Sequence, residues 1–512
     1  MNKSRTQKLH DCKRRIERRL DPNKGSVKRD KPMIEGANIH YEISEKTKAI
    51  SSGGIGLLVR LAIWSGLREA IDKNLHLLKV HLPYHESDHV LSIALNALAG
   101  GTCLEDIEHR RNDENFLNAL GAERIPDPTT AGDFCRRFTE THIVTLMETI
   151  NEIRTRIWST QPREFFQEAI LDVDGTLVDT FGECKEGMEI SYKGEWGYQT
   201  LLLSLANTGE PLYLKNRSGN RPSHEGAAPF LDRAIRLCWD AGFREVTVRG
   251  DTDFSMTEHL DRWHEDNVRF VFGYDCRKNL VEMAGKLPET VWQKLERPSK
   301  YERKTDARSR PENVVNRIVT EREFKKLLLK GEEVAEFSYR PRACKRTYRM
   351  VVLRKNISVE KGEQVLFDEI RYHFYITNDG IAHPSQIVFD ANQRCDQENL
   401  IGELKNGVRA LHAPVNGLVS NWAYMVMASL AWTLKAWMAL LLPEGGRWKV
   451  RRKAEKTKVL RMGFRTFLNA LMLVPAQIVR RARRIEYRFL SWNRWLPVFF
   501  RAWDRLRRPL LE

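Results

Sequence analysis

Three short acidic segments, far apart in the chain, place the strongest constraint on its fold. Asp174 and Asp251 follow apolar runs typical of buried β-strands, whereas Glu398 lies in a helical pattern seven residues before Lys405. Carboxylates gathered from distant segments suit Mg²⁺, which takes oxygen ligands and is usually completed by substrate phosphates. Two such ions about 4 Å apart can hold the attacking and leaving oxygens of a phosphoryl displacement. The fold is therefore expected to bring two strand ends and one helix face together.

The charge of the chain is concentrated at its two ends. The net charge is +16; residues 1–31 hold 12 Lys and Arg against 4 Asp and Glu, and residues 447–512 hold 19 against 4. The remainder has a net charge of −7. An acidic body with cationic ends indicates a polyanion partner, and nucleic acid fits best. The alternative is that the ends are solvated tails that maintain solubility, but Arg and Trp alternate between residues 480 and 503, which favours contact with a partner.

Cysteine usage and hydropathy exclude several classes of protein. The eight cysteines are scattered and include no Cys-x-x-Cys pair, so neither a disulfide framework nor a zinc knuckle is expected, and a reducing compartment fits. The apolar run from Trp422 to Leu442 is long enough to span a bilayer. Because Lys435 lies inside it, a buried core helix is the better interpretation, and no membrane partner is expected.

The predicted elements divide the chain into six regions. These are a basic, irregular arm (1–60), a helical region (61–160), the first part of an α/β core (161–275), a mostly β insertion (276–365), the second part of the core (366–443) and basic C-terminal helices (444–512). In the helical region, Asp127 is a natural N-cap before Pro128 at the first helical position. This pattern predicts either a helix-turn-helix that binds DNA or an ordinary small helical bundle.

The predicted helix over residues 392–411 carries geometric information. At 100° per residue, Arg394, Glu398 and Lys405 share one face. Glu403 points about 140° away from Glu398, so Glu398 is the candidate ligand, with cations beside it for phosphates. The alternative is an ordinary surface ion pair on a solvated helix.

A resemblance to a known family follows from these motifs. The spacing Arg394-x3-Glu398-x6-Lys405 resembles the Tyr-x2-Arg-x3-Glu-x6-Lys signature of DDE transposases from bacterial insertion sequences. The segments that begin at Asp174-Gly175-Thr176 and Gly250-Asp251-Thr252 resemble the first and second aspartate motifs. Further segments at 218–220, 374–378, 398–405 and 475–484 are similar to insertion-sequence family 1380. The chain departs from the signature at Ala391, where the family has tyrosine; that tyrosine is not a metal ligand in the family.

The resemblance implies a fold, a reaction and partners. It implies an α/β protein with a ribonuclease-H-like catalytic core that the β insertion interrupts, a preceding helical DNA-binding domain and following basic helices. The activity would be DNA transposition with two Mg²⁺ (or Mn²⁺) ions per site. The partners would be the terminal inverted repeats and target DNA, bound by a homo-oligomer, a dimer on DNA, in the bacterial cytoplasm.

The resemblance also assigns residues. Asp174, Asp251 and Glu398 would be the catalytic metal ligands, with Arg394 and Lys405 as phosphate contacts. The DNA-binding residues of the late basic motif would be Arg480, Arg481, Arg483 and Arg484.

Three other interpretations stay open at this point. Asp172-Val173-Asp174-Gly175-Thr176 also matches the nucleophile loop of haloacid-dehalogenase-type phosphatases, in which Asp172 would be phosphorylated. The segment His85-Glu86-Ser87-Asp88-His89 is formally a zinc-protease motif, but Pro83 lies just upstream, so His85 is expected to precede the helix. The third interpretation is a non-catalytic DNA-binding protein derived from a transposase.

Overall fold

A mixed β-sheet forms the centre of the structure. The computed structural model describes residues 4–21, 48–191, 193–297, 317–318, 322, 325–361, 364–481 and 484–508. The strands in this part of the chain are β1 (Ala49–Ile50), β2 (Ala169–Asp179), β3 (Glu189–Ile190), β4 (Trp196–Leu205), β5 (Glu210–Lys215), β6 (Val246–Gly250), β7 (Val268–Tyr274), β8 (Gln293–Lys294), β9 (Lys325–Tyr339), β10 (Tyr348–Lys361), β11 (Gln364–Thr377), β12 (Ala476–Arg481) and β13 (Arg484–Phe489).

Helices precede, cover and follow the sheet. They are α1 (Arg5–Arg19), α2 (Ile55–Trp64), α3 (Leu67–Asn74), α4 (Glu86–Leu98), α5 (Ile107–Arg111), α6 (Glu114–Leu120), α7 (Pro128–Arg136), α8 (Glu140–Trp158), α9 (Ala227–Asp240), α10 (Thr257–Glu265), α11 (Lys278–Gly285), α12 (Pro384–Gln393), α13 (Cys395–Gly402), α14 (Leu418–Leu440), α15 (Lys449–Leu460), α16 (Phe464–Phe467) and α17 (Leu496–Arg505). The chain is thus a mixed α/β protein, as its alternating periodicities predict.

The strand order places β2 inside the sheet, between β4 and β6. The order is β3-β4-β2-β6-β7-β11-β10-β9-β8, with β5 also paired to β4. Strand β2 is antiparallel to β4 and parallel to β6, and β6 is parallel to β7. The β2 residues Ala169, Leu171 and Val173 are fully or almost fully buried, which explains the apolar run in this segment.

The region predicted as a β insertion extends this same sheet. Strand β11 pairs with β7, where Phe374 is opposite Tyr274, and β10 and β9 continue outwards as long antiparallel strands. The ring of Phe270 on β7 contacts that of Tyr348 on β10 at a centroid distance of 5.5 Å. Buried aromatic packing therefore joins the inner parts of these strands to the central sheet.

The apolar helix α14 is a core helix. It is buried along its whole length except at its first residues and packs against α4, α8, α2, α7 and strand β5. Its Trp437 donates to Glu210 on β5 (Nε1···Oε1 2.9 Å), and Arg154 on α8 donates to the same carboxylate oxygen (3.0 Å). The helical region and the sheet therefore share one buried helix, and the prediction of a core helix is confirmed.

The two ends of the chain differ from their predictions. Within the arm predicted to be irregular, α1 forms because Ser4 and Gln7 make a reciprocal N-terminal cap. Within the segment predicted as basic helices, β12 and β13 pair as an antiparallel hairpin, and β12 also pairs with β1. Strand pairing prevails there because Ala476 and Ile478, two residues apart, are buried on one side of β12, whereas the charged residues suggested a helical surface.

Candidate active site

A cleft at one edge of the central sheet brings the predicted residues together. It has a volume of about 790 Å³ and is lined by Asp174, Asp251, Glu398, Arg394 and Lys405, among other residues. These side chains come from the middle of β2, the end of β6 and the segment that contains α13. The cleft is therefore the place where the three distant acidic segments meet.

Asp174 faces the cleft, and Asp172 lies beneath it. Both oxygens of Asp174 accept hydrogen bonds: Oδ1 from the backbone N–H of Gly175 at 2.8 Å and Oδ2 from Nη1 of Arg394 at 3.1 Å. Asp172, two residues earlier, is 1% exposed and is bound by Arg249, with Nε···Oδ1 2.7 Å and Nη2···Oδ2 2.9 Å. Because Arg249 binds Asp172 in a buried pair, Asp174 and not Asp172 is the carboxylate that faces the cleft.

Asp251 follows the last residue of β6 directly. Its Oδ1 accepts from the backbone N–H of Asp253 at 2.9 Å, so it caps the short 3₁₀ turn Thr252–Phe254. The preceding Gly250 allows this turn to fold back, because a Cβ there would lie 2.8 Å from the Cβ of Phe254. The strand end and the turn together fix the position of the Asp251 side chain.

Glu398 is positioned by its neighbour Gln397. Gln397 is buried; its Nε2 donates to the carbonyl of Leu202 on β4 at 3.1 Å, and its Oε1 accepts from the hydroxyl of Ser204. These bonds hold α13 against the sheet with Glu398 at the cleft. Gln397 was not predicted as a site residue; its place as a polar residue beside a candidate ligand was the signal that could have identified it.

The helix predicted over residues 392–411 is interrupted. Helix α12 ends at Gln393, Arg394 lies at the junction, α13 ends at Gly402, and Glu403–Gly407 form a π-helical turn. The π turn follows from Glu403, which accepts from the backbone N–H of Phe464 at 2.8 Å and lies against Gly407. Glu403 thus serves the packing of the C-terminal region, whereas Arg394, Glu398 and Lys405 line the cleft.

Burial and charge set the protonation behaviour of the cleft. The pKa of Asp174 is raised to about 6, mainly by burial. Arg394 opposes this rise, whereas the negative charges of Asp251 and Glu398 add to it. Burial likewise raises the pKa of Asp251, and Arg394 again opposes this. Burial lowers the pKa of Lys405, whose Nζ donates to the carbonyl of Leu177 at 2.6 Å. The cleft therefore concentrates negative charge, which Arg394 offsets.

The donor set suits hard divalent cations. The described residues that line the cleft include six carboxylates, the three predicted ones and Asp179, Glu195 and Asp253, and no thiol or imidazole; such oxygen ligands favour Mg²⁺ or Mn²⁺. In the described part of the chain, the oxygens of the three predicted carboxylates do not all approach within 4.8 Å of one another. Ligation by all three therefore requires that their side chains draw closer or that more than one ion is bound.

The zinc-protease motif does not assemble as a protease site. Helix α4 begins at Glu86, so His85 precedes it as expected. His89 stacks on Phe134 at a centroid distance of 4.2 Å, away from His85, while Glu86 is bonded to His81 (3.0 Å). His81 and His85 stack face to face with 13° between their planes, so they cannot both direct a lone pair at one ion as they stand.

The late basic motif is described only in part. Arg480 and Arg481 end β12 and Arg484 begins β13, but their side chains lie outside the described residues, as does all of Arg483. Their assignment as DNA contacts stays a prediction.

The chain is similar to a known protein family and to a solved structure. Residues 36–510 match the family model described as transposase DDE domain, group 1. One similar solved structure is described as a cryo-EM structure of the piggyBac transposase synaptic complex with hairpin DNA; the TM-score is 0.34, the identity is 10%, and the match covers 82% of this chain and 81% of that chain. The search of curated proteins finds no match. The family match includes all five cleft residues named above.

Proposed function

Because the chain belongs to the family of the transposase DDE domain, group 1, we propose that it is a DNA transposase that cuts the ends of an insertion sequence and joins them to target DNA. The observation that carries this proposal is the cleft in which Asp174, Asp251 and Glu398 meet beside Arg394 and Lys405. We further propose that the element belongs to insertion-sequence family 1380, on the segments at 218–220, 374–378, 398–405 and 475–484.

The strand order supports a ribonuclease-H-like core. Three antiparallel strands in sequence, β2, β4 and β5, are followed by α9 and by β6 and β7, which run parallel to β2. The first carboxylate, Asp174, lies on β2, and the second, Asp251, follows the end of the neighbouring parallel strand β6. We therefore propose this core, with residues 61–160 and 444–512 as the flanking DNA-binding regions.

The proposed reaction uses each cleft residue in a defined role. Asp174, Asp251 and Glu398 would hold two Mg²⁺ or Mn²⁺ ions, which when bound supply an activated water and charge stabilisation at the leaving oxygen. Arg394 and Lys405 bind the phosphates on either side of the scissile bond and orient it. Hydrolysis adds the water oxygen to phosphorus and releases the 3′ oxygen of the element as a hydroxyl. That hydroxyl then attacks a phosphodiester of the target, and the target's own 3′ oxygen leaves.

The phosphatase interpretation requires a different environment for Asp172. A phosphorylated nucleophile must reach its substrate, but Asp172 is 1% exposed and bound through both oxygens by Arg249. The neighbours of β2 also include an antiparallel strand, whereas that class has a parallel doubly wound sheet. No stable phosphoprotein at Asp172 is expected.

The test is strand cleavage on the element's own ends. Inverted repeats in the DNA on both sides of the open reading frame supply the substrate. Purified protein with Mg²⁺ is expected to nick these ends and to produce 3′-hydroxyl termini. Asp251→Asn is expected to lose cleavage while it still binds the ends, because the lost carboxylate contacts metal and not bases. The matched control is Asp253→Asn, which removes a negative charge from the same cleft and is expected to keep cleavage.

The outcomes separate the hypotheses. Wild-type protein that binds the repeats but never cleaves them would favour the non-catalytic DNA-binding interpretation. Cleavage by Asp251→Asn at the wild-type rate would contradict the assigned metal centre.

A further inference from the structure

Arg394 occupies a position that its role as a phosphate contact does not explain. Its guanidinium donates to Oδ2 of Asp174 at 3.1 Å, and the side chains of the pair are 21% and 13% exposed. The other oxygen of Asp174 already accepts the backbone N–H of Gly175. A divalent cation that binds Asp174 through Oδ2 therefore competes with Arg394 for this oxygen, because two cations at contact distance from it repel each other.

The influence of Arg394 extends beyond Asp174. Arg394 lines the same cleft as Asp174, Asp251 and Glu398, so its positive charge acts on all three carboxylates. Arg394 is therefore the internal counter-ion of the carboxylate cluster in the protein alone. Removal of this counter-ion leaves negative charge that a metal ion can neutralise.

The backbone on both sides of Arg394 is held in place by hydrogen bonds, whereas the Arg394 side chain is long and can rotate. Nη1 of Arg249 donates to the carbonyl of Asp390 at 3.1 Å, which ties the end of α12 to β6. On the other side of the junction, Gln397 fixes α13 to β4. Rotation of the Arg394 side chain can thus change its partner without movement of Glu398, which lies one helical turn further on.

We propose that Arg394 closes the carboxylate cluster to divalent cations until a DNA phosphate takes over its guanidinium, so that DNA and metal bind cooperatively. The inference rests on the proposed function, since it requires that the cleft binds both. A phosphate oxygen is the natural alternative partner, because guanidinium binds carboxylate and phosphate through the same planar pair of donors. The exchange leaves Asp174 free for metal at the moment when the scissile phosphate arrives.

Thermodynamic linkage between DNA binding and metal binding makes this proposal quantitative. If DNA raises metal affinity by a certain factor, metal raises DNA affinity by the same factor, and couplings of this kind are typically about 5- to 150-fold. The coupling has a practical consequence, since metal is bound with its full complement of ligands only where DNA is present. Arg394 would then limit metal-dependent chemistry in the absence of substrate.

The test measures metal binding and not catalysis. Ca²⁺ is the probe, because it takes the same oxygen ligands. Its affinity is measured by titration calorimetry for the wild type, Arg394→Gln, Lys405→Gln and Asp251→Asn, each with and without a duplex of the element end, and gels check that the duplex stays intact. Lys405→Gln is the matched control, because it removes one positive charge from the same cleft without touching Asp174. Thermal unfolding establishes that each variant is folded.

The expected results separate this proposal from general electrostatics. Wild type should bind Ca²⁺ at least about 5-fold more tightly with DNA than without it. Arg394→Gln should bind Ca²⁺ without DNA nearly as tightly as wild type does with DNA, and should lose most of the coupling. Lys405→Gln should retain the coupling.

Two results would overturn the proposal in distinguishable ways. If wild type binds Ca²⁺ and Asp251→Asn does not, but Arg394→Gln matches wild type both with and without DNA, the metal site stands and the role of Arg394 is wrong. If no variant binds Ca²⁺ in an Asp251-dependent manner under either condition, the proposed function fails together with this inference.

Discussion

Asp172 and Arg249 form a bidentate ion pair directly beneath the carboxylate cleft. The two bonds measure 2.7 and 2.9 Å, and the side chains are 1% and 4% exposed. The pair joins β2 to β6, the strands that carry Asp174 and precede Asp251. Arg249 also reaches the carbonyl of Asp390, so one buried cation connects the first two acidic segments to the helix before the third.

Breaking this pair should destabilise the protein. Arg249→Leu leaves the Asp172 carboxylate buried without its partner, which typically costs about 3–5 kcal/mol in the free energy of unfolding. Arg249→Leu combined with Asp172→Leu should lose less than the single variant, because no uncompensated charge remains. Urea denaturation measures both. As a control, Arg156→Ala removes half of an exposed pair with Glu152 and should change stability by no more than about 1 kcal/mol. Equal stability of Arg249→Leu and wild type would contradict the structural role of the pair.

Lys435 predicts a dependence of stability on pH. It is fully buried in α14, where Nζ donates to the carbonyl of Leu460 at 2.9 Å, and burial lowers its pKa to about 7. An unfolded lysine titrates near pH 10.4. Between about pH 7 and 10 the unfolded state therefore binds more protons, and stability from this group rises with pH; below pH 7 its cost is constant.

The comparison of Lys435→Met with wild type isolates this effect. The variant lacks the titrating group, so wild type should gain stability relative to it between pH 7 and 9.5, by up to about 1.4 kcal/mol per pH unit. Urea unfolding at several pH values gives the two curves. The exposed Lys458→Met should run parallel to wild type. Parallel curves for Lys435→Met and wild type would show that Lys435 keeps its ordinary pKa.

Cations on α15 are expected to contact DNA phosphates. Deletion of residues 447–512 is unsuitable as a test, because this segment supplies buried parts of the fold such as Phe467, Leu471 and the strand β12 that pairs with β1. The triple change of the exposed lysines Lys449, Lys453 and Lys458 to Gln leaves that packing intact. These residues border a groove of about 880 Å³ that Trp495 also lines.

The salt dependence of DNA binding tests whether the α15 lysines contact DNA phosphates. If all three lysines neutralise phosphates, the slope of log K against log salt should flatten by about 2.7, at roughly 0.9 per contact. The matched control changes three exposed lysines in another region, Lys278, Lys286 and Lys294, and should leave the slope unchanged. If the slope is the same in both triple variants, the α15 lysines do not neutralise DNA phosphates, and α15 has a packing role alone.

Local sequence patterns predicted individual strands and helix caps, whereas features that depend on long-range contacts could not be predicted from the sequence. The strands at 169–173 and 245–248 and the cap at Asp127 were predictable, because period and capping are local properties. The break at Arg394 and the π turn at Glu403 were not, because Arg394 bonds Asp174, 220 residues earlier, and Glu403 bonds Phe464, about 60 residues later. The hairpin β12–β13 was missed for the same reason, since its partner β1 lies more than 400 residues away.

In the candidate site, too, local motifs predicted some features, and contacts between distant segments determine the others. The family motifs identified the cleft residues, since their spacing is written in the sequence. The bond from Arg394 to Asp174 joins segments 220 residues apart, and Arg249 and Gln397 support the site from beneath through contacts that no local pattern reveals.

The metal specificity of Asp251→Cys tests the central claim most directly. A thiolate is a poor ligand for Mg²⁺ but suits softer ions, so a change of ligand chemistry should change the ion that supports DNA cleavage. The measurement is cleavage of the element ends by wild type, Asp251→Cys and the control Asp253→Cys, with Mg²⁺, Mn²⁺ or Zn²⁺. We predict that Asp251→Cys loses cleavage with Mg²⁺ and regains part of it with Mn²⁺ or Zn²⁺, while Asp253→Cys behaves as wild type. Cleavage by Asp251→Cys with Mg²⁺ at the wild-type rate would show that Asp251 is not a metal ligand and would contradict the account.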